Sequence, residues 1–371
     1  MSLKIVHIAA ISPFQCGLYE TTREQVAFER KIGLDSYLFD PRPEILPKES
    51  TVPNTIECPK CKTLMNLGER SANIPTGMYV GFEDRGCCSV PESFLKHADI
   101  LVSHSGIYGY DQKYNKPFIH IAHGRPYSSI LMENAGDSHV YSTYAQMYSN
   151  PNLKAAVTLW PEYMDYLDIL FKEKLHFIQC CVDLNRWQRT PSNYNFDGKM
   201  AECNIVMTDV WRLDKDPYYV LNAYRKFHKT HKNCKLHIYA FPNKSGWSTL
   251  VRLMQAEGMI GDIKPHVQSL YNVYNAADLF VTPHVIATRT VREALSMGIN
   301  TVAGSDNRFT PYKANPENLD EYAQAIERAY NDWKNNKQLC AENNRKMAEE
   351  SFDPIRMVTE FKNLYNTIME K

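Results

Sequence analysis

Residues 271–306 leave the chain few choices of fold. Residues 271–277 carry helical spacing, and Asp278-Leu279-Phe280-Val281-Thr282-Pro283 follows as a short apolar run closed by a proline, which reads as a buried strand. A loop from His284 to Arg289 comes next. Residues 290–297 spell a second short helix that Gly298 stops, and Asn300-Thr301-Val302-Ala303-Gly304 is another strand. Where the first strand turns into the second helix, the orphan N–H groups and the positive end of the helix dipole point at whatever lies above the strand. That turn is an anion site.

The same alternation of strand and helix runs along the rest of the chain, so the fold class is α/β, with helices on both faces of parallel sheets. In the first half, residues 3–10, 35–39, 98–103, 118–122, 154–159 and 175–180 read as strands. Thr21 or Thr22 is the expected cap of a helix running to Gly33. In the second half, residues 203–207, 235–240 and 263–267 read as strands. Residues 218–229 and 247–257 read as helices, and a further helix starts at Pro316 and reaches about Asn335. A chain of 371 residues is too long for one ordinary core and suits two domains. The polar stretch 188–199 is the expected linker. No G-x-G-x-x-G follows the first strand, which argues against a dinucleotide-dependent oxidoreductase.

Lys plus Arg equals Asp plus Glu at 42 each, so no bulk charge draws the chain to nucleic acid or an anionic membrane. No apolar run approaches the roughly 20 residues that span a bilayer, and the N-terminus enters a strand directly, so the expected location is cytoplasmic. Ten cysteines in such a chain are reduced thiols or metal ligands rather than a disulfide framework. They matter most in a proline-rich, irregular insertion at about 41–91, which carries Cys58-Pro59-Lys60-Cys61 and Cys87-Cys88. Cys58, Cys61, Cys87 and Cys88 could hold a structural zinc ion. Adjacent cysteines rarely share one ion, so His97 and His104 compete as ligands, and four unconnected thiols is the other reading.

The stretch 276–306 resembles the donor-binding segment of the retaining GT-B glycosyltransferases, in particular glycosyltransferase family 4. Ala276-Ala277-Asp278-Leu279-Phe280-Val281-Thr282-Pro283, then Glu293-Ala294-Leu295-Ser296-Met297-Gly298, then Gly304-Ser305-Asp306 match the family's pattern in order and nearly in spacing. The family's first glutamate would fall at position 285, which is Val285 here. Glu293 matches the second, which in the family holds the ribose hydroxyls of the nucleotide. A capping box, Thr290-Val291-Arg292-Glu293, is the competing reading of Glu293. Thr288, Arg289 and Thr290 would contact the donor beside it. Cys181-Val182-Asp183 resembles the segment where the family's chain crosses between domains, with cysteine in place of the usual glycine.

The resemblance implies a GT-B fold, two Rossmann-like domains with parallel sheets facing a central cleft. The acceptor-side domain would span 1–185 and the nucleotide-sugar domain 186–371, with the last helix crossing back. It further implies that Gly17, after the first strand, allows close approach of the donor, and that His123, in His123-Gly124, lies against the donor sugar. Arg212 and Lys215 match the two cations that hold the diphosphate, although Trp211 replaces the family's glycine and the loop is shorter. The D-x-D at Asp214-Lys215-Asp216 is discounted as a chance pattern in a charged loop. The implied activity is hexosyl or pentosyl transfer from a nucleotide sugar, a UDP- or GDP-sugar above others, to a hydroxyl with retention of configuration. It would need no cofactor or metal for the chemistry. A glycan, a lipid-linked sugar, a small metabolite or a hydroxylated base in viral DNA all suit as acceptor, and nucleic acid enters only in that role. Two other classes stay open: a nucleotide-binding interaction scaffold that has lost transfer, and a nucleotide-sugar epimerase.

Overall fold

Short, largely apolar strands build the structure, a computed structural model that describes residues 3–9, 17–39, 55–57, 64–66, 90, 92–104, 109–123, 149–196, 201–209, 217–241, 248–265, 267 and 269–370. The chain divides into two units, Met1–Cys181 with Pro354–Lys371, and Val182–Asp353. Each holds one six-stranded parallel sheet.

In the first unit the strands are β1 (Lys4–Ile8), β2 (Asp35–Phe39), β5 (Ile100–His104), β6 (Phe118–Ala122), β7 (Leu153–Thr158) and β8 (Leu175–Phe177), in the order β2-β1-β5-β6-β7-β8. A separate antiparallel pair, β3 (Thr55–Glu57) and β4 (Leu64–Asn66), lies within the insertion. Every residue of β5 and β6 is buried, as expected of central parallel strands covered on both faces. Helix α1 (Gly17–Lys31) follows β1, and the C-terminal helix packs on it in the same unit. Here the sequence reading needs correction. Thr21 and Thr22 do not cap α1 but lie inside it, their hydroxyls donating to the carbonyls of Gly17 and Leu18 at 2.7 and 2.9 Å. Shorter helices α2 (Tyr110–Tyr114) and α3 (Met164–Phe171) connect the later strands.

The second unit contains β9 (Cys203–Met207), α4 (Pro217–His228), β10 (Cys234–Ile238), α5 (Ser248–Ala256) and β11 (Ile260–Ile263). It continues through α6 (Tyr271–Ala276), β12 (Leu279–Val281), α7 (Arg289–Ser296), β13 (Asn300–Gly304), β14 (Lys313–Ala314) and α8 (Leu319–Ser351). The sheet order is β11-β10-β9-β12-β13-β14. Its core joins Ile205, Met207, Leu236, Ile238, Leu279 and Val281 to Val220, Leu221 and Tyr224 of α4 and to Tyr322, Ile326 and Tyr330 of α8. Burying each Leu, Ile, Val or Phe side chain contributes roughly 1.5–3 kcal/mol. Asn318 caps α8 by accepting from the Glu321 amide, so the helix starts at Leu319 rather than at Pro316. Its first stretch ends at about Asn335, as the pattern suggests: Asn336 is non-helical, with φ −143° and ψ 45°, and a second helical stretch continues to Ser351. Helix α9 (Pro354–Met369) then belongs to the first unit. Strand β11 begins three residues earlier than the pattern suggests, at Ile260, because Ile260 and Ile263 are the residues paired with β10. Among the described residues no helix is long and apolar enough to cross a membrane.

Candidate functional site

In each sheet one strand has neighbours whose connections leave in opposite directions, and the crevice beyond its C-terminal end is where ligands bind in open α/β sheets. In the second unit that point lies between β9, which leads to β10, and β12. Thr208 and Asp209 follow β9, and Thr282, Pro283 and His284 follow β12. Thr208, Asp209, Thr282 and His284 form a buried polar floor. His284 Nε2 lies 2.8 Å from Asp209 Oδ1, with both side chains almost fully buried. The Thr208 and Tyr274 hydroxyls lie 3.0 Å apart, and the Tyr322 hydroxyl donates to the Thr282 carbonyl at 2.6 Å. Burial, and after it the Glu293 carboxylate, holds the Tyr274 phenol well above its ordinary range, so it stays a neutral hydrogen-bonding group.

Gly304 permits this floor. Its N–H donates to the His284 carbonyl at 2.9 Å, and a Cβ there would lie 2.7 Å from Val285 Cγ1 and 2.8 Å from the Pro283 oxygen. Only glycine lets β13 approach the 283–285 loop so closely.

Helix α7 rises next to this floor. Its N-cap is Thr288, not Thr290, because the chain turns tightly through Thr288 N–H to Ile286 O at 2.8 Å. The Thr288 side chain does not cap; its hydroxyl lies 3.0 Å from that of Thr290 inside the first turn. Glu293 therefore does not close a capping box with Thr290. It is buried, and its Oε1 lies 2.6 Å from Arg289 Nε, one turn back on the same helix. Arg292, adjacent in sequence, turns inward and donates from Nη1 to the Ala287 carbonyl at 2.8 Å, which fixes the loop that enters α7. Thr288, Arg289, Thr290 and Glu293 thus come together at one helix end, with the Arg289–Glu293 pair as its charged centre.

In the first unit the corresponding point lies between β1 and β5. Here His7, His104 and His123 stand in a row. His7 Nδ1 is 2.9 Å from His104 Nε2, and His104 Nδ1 is 2.8 Å from His123 Nε2. His123 is half-buried at the end of β6. Gly17 opens α1 and is exposed. Arg212 and Lys215 lie outside the described residues, as do Cys58, Cys61, Cys87 and Cys88. Among the described residues no group of three or more His, Cys, Asp or Glu side chains could hold a metal ion.

Sequence reasoning missed Asp209, His284 and the row behind His123. The partners in that row lie 19 to 97 positions apart, and no spacing announces them.

No family model matches the sequence. No curated protein matches it either. Solved structures do match in shape. A glycosyltransferase from Rickettsia africae ESF-5 aligns over 100% of this chain and 99% of its own, with TM-score 0.67 and 12% identity. WaaG, a glycosyltransferase involved in lipopolysaccharide biosynthesis, aligns over 97% and 99%, with TM-score 0.63 and 12% identity. The pneumococcal O-GlcNAc transferase GtfA, solved in complex with UDP and GlcNAc, aligns over 76% of this chain and 60% of its own, with TM-score 0.53 and 14% identity. These neighbours are GT-B glycosyltransferases, and the fold of this chain is theirs: α/β, with two Rossmann-like domains built on six-stranded parallel sheets.

Proposed function

We propose that the chain is a retaining glycosyltransferase similar to family 4, moving a hexosyl or pentosyl group from a UDP- or GDP-sugar to a hydroxyl acceptor. The observation that carries the reading is the buried Glu293, held by Arg289 at the first turn of α7, next to the switch point between β9 and β12. In this reading Glu293 accepts the ribose hydroxyls, and the α7 N-terminus faces the diphosphate with Thr288, Arg289 and Thr290. Arg212 and Lys215, in the segment that leads from β9 to α4, neutralise the charge that grows on the leaving diphosphate. That electrostatic help needs no metal ion. His123 meets the donor sugar and Gly17 admits it.

The leaving phosphate oxygen then helps to deprotonate the acceptor on the face it departs from, so no carboxylate base is assigned. The acceptor class stays with the first unit and its insertion: glycan, lipid-linked sugar, small metabolite or hydroxylated nucleobase. An epimerase acting on the same donors is the second reading, since a solved protein assigned that activity shares the fold at TM-score 0.57.

A thermal-shift panel of UDP, GDP, ADP and CMP sugars, followed by a turnover assay with the sugar that binds, tests this. One donor class should raise the melting temperature by mass action. Arg212→Ala and Lys215→Ala should each lower turnover at least about tenfold. Conversion of the free nucleotide sugar without any acceptor would assign an epimerase, and binding without transfer or hydrolysis would assign a scaffold. Wild-type turnover in both variants would remove that loop from the site.

A further inference from the structure

Behind His123, the first unit buries a chain of titratable groups that the transfer reaction as described leaves unused. Glu29 of α1 is fully buried and accepts from four donors. His7 Nε2 (2.9 Å) and the Ser36 hydroxyl (2.6 Å) meet Oε2, while the Tyr365 hydroxyl (2.8 Å) and Gln25 Nε2 (3.0 Å) meet Oε1. Four donors match the lone pairs of a carboxylate, so Glu29 is ionised. Burial opposes its charge, but His7 and these hydrogen bonds outweigh burial and hold its acidity below the ordinary glutamate range.

Proton positions follow from Thr22. Its hydroxyl donates to the Leu18 carbonyl at 2.9 Å, so toward His104 Nδ1, 3.0 Å away, it acts as an acceptor. That places a proton on His104 Nδ1, directed at both Thr22 Oγ1 and His123 Nε2. A neutral His104 then has an acceptor at Nε2, which takes a hydrogen bond from His7 Nδ1. His7 also donates from Nε2 to Glu29, so it carries two ring protons and is an imidazolium.

We propose that Glu29, His7 and His104 form a proton relay behind His123, in which a proton stored on His7 against Glu29 reaches the His123 ring through His104. The balance is simple. His123 gives its Nδ1 proton to an oxygen of a bound ligand, and its Nε2 takes the proton from His104 Nδ1. His104 Nε2 in turn takes the proton from His7 Nδ1. At the end His7 is neutral, Glu29 is still ionised, and His104 and His123 have each exchanged a proton at one ring nitrogen for one at the other. Reversal reloads His7.

His104 only conducts. Burial, and then the neighbouring His123, His7 and His120, keep its pKa well below 6.5, while His120 is pushed down to about 4 by burial. The groups around the chain are Glu29, Thr22 and Gln25 from α1, Ser36 from β2, His120 and His123 from β6 and its end, and Tyr365 from α9. Delivery to a ligand at His123 rests on the transferase reading; storage on His7 does not.

Ring-nitrogen NMR of the full chain, ¹⁵N-labelled at histidine and free of ligand at pH 7, tests the storage directly. In the wild type His7 should show two protonated ring nitrogens, and His104 and His123 should be protonated at Nδ1. Glu29→Gln should abolish the His7 imidazolium and move the protons of His104 and His123 to Nε2. Thr22→Val, a milder change, should shift the same tautomers in the same direction, and Thr22→Ser should keep the wild-type pattern. A neutral His7 in the wild type, or a His123 tautomer indifferent to Glu29→Gln and Thr22→Val, would overturn the relay. Because no donor is present, absence of transfer activity would sink the functional reading without touching this one.

Discussion

Glu293 is the residue on which the functional reading turns, because a carboxylate inside a helix needs partners that repay its burial. Its contact with Arg289 supplies one, and the proposed function adds the ribose hydroxyls of a donor. Glu293→Ala should weaken binding of the preferred nucleotide by about 1.5–3 kcal/mol, roughly tenfold or more, as expected for a lost hydrogen bond to a charged group. Titration calorimetry measures this, and unchanged affinity would reduce the residue to a partner of Arg289. Gly304→Ala is predicted to act through shape. The added methyl meets the Pro283 carbonyl and the Val285 side chain, and the loop cannot retreat without stretching the Gly304–His284 hydrogen bond. A loss of about 1–3 kcal/mol is expected. A urea midpoint equal to wild type would show that the loop moves freely.

At the scale of elements, α7 is short and depends on how it is stopped and what it leans on. Gly298 ends it with φ +74°, and a Cβ there would lie 3.0 Å from the Ala341 carbonyl in α8. Gly298→Ala therefore combines an unfavourable left-handed backbone with crowding against a second helix. A cost of roughly 1–3 kcal/mol follows. Because α7 carries Glu293, nucleotide affinity should fall along with the melting temperature, whereas a change confined to stability would separate the helix end from the site. Arg345 of α8 anchors the same region by donating to the carbonyls of Ser296, Leu184 and Trp187 at 2.8 to 3.1 Å.

For the whole molecule the buried histidines of the first unit set the response to acid. His120 titrates at about 4 in the folded state against 6.5 when unfolded. Between these values the unfolded chain binds more protons, so stability rises with pH; the contribution is complete above 6.5 and lost as pH falls toward 4. The full span is worth roughly 3 kcal/mol. His104, shifted in the same direction, adds to it. Urea midpoints at pH 6.5, 5.5 and 4.5 should fall steeply for the wild type and less steeply for His120→Leu. Parallel slopes would mean that other groups govern acid unfolding.

The sequence by itself determined the fold class and the order of helix, strand, helix and strand over residues 271–304. Strands such as Phe118–Ala122, Cys203–Met207 and Asn300–Gly304 are short, mostly apolar or β-branched runs, and Gly298 marks a helix end by its composition alone. These signals are local, so they survive without a structure. Where a helix starts was less legible. Thr22 sits inside α1 rather than before it, its hydroxyl donating to the Leu18 carbonyl, and Thr288 rather than Thr290 precedes α7, where the chain turns through Thr288 N–H to Ile286 O. The chemistry around the site was decided by tertiary structure. Asp209 meets His284 only because β9 and β12 are neighbours in the sheet. Glu29 meets His7, and through it His104 and His123, only because a parallel sheet sets β1, β5 and β6 side by side. A pattern read along the chain records which groups exist; the crossing connections of a parallel sheet decide which of them share a proton.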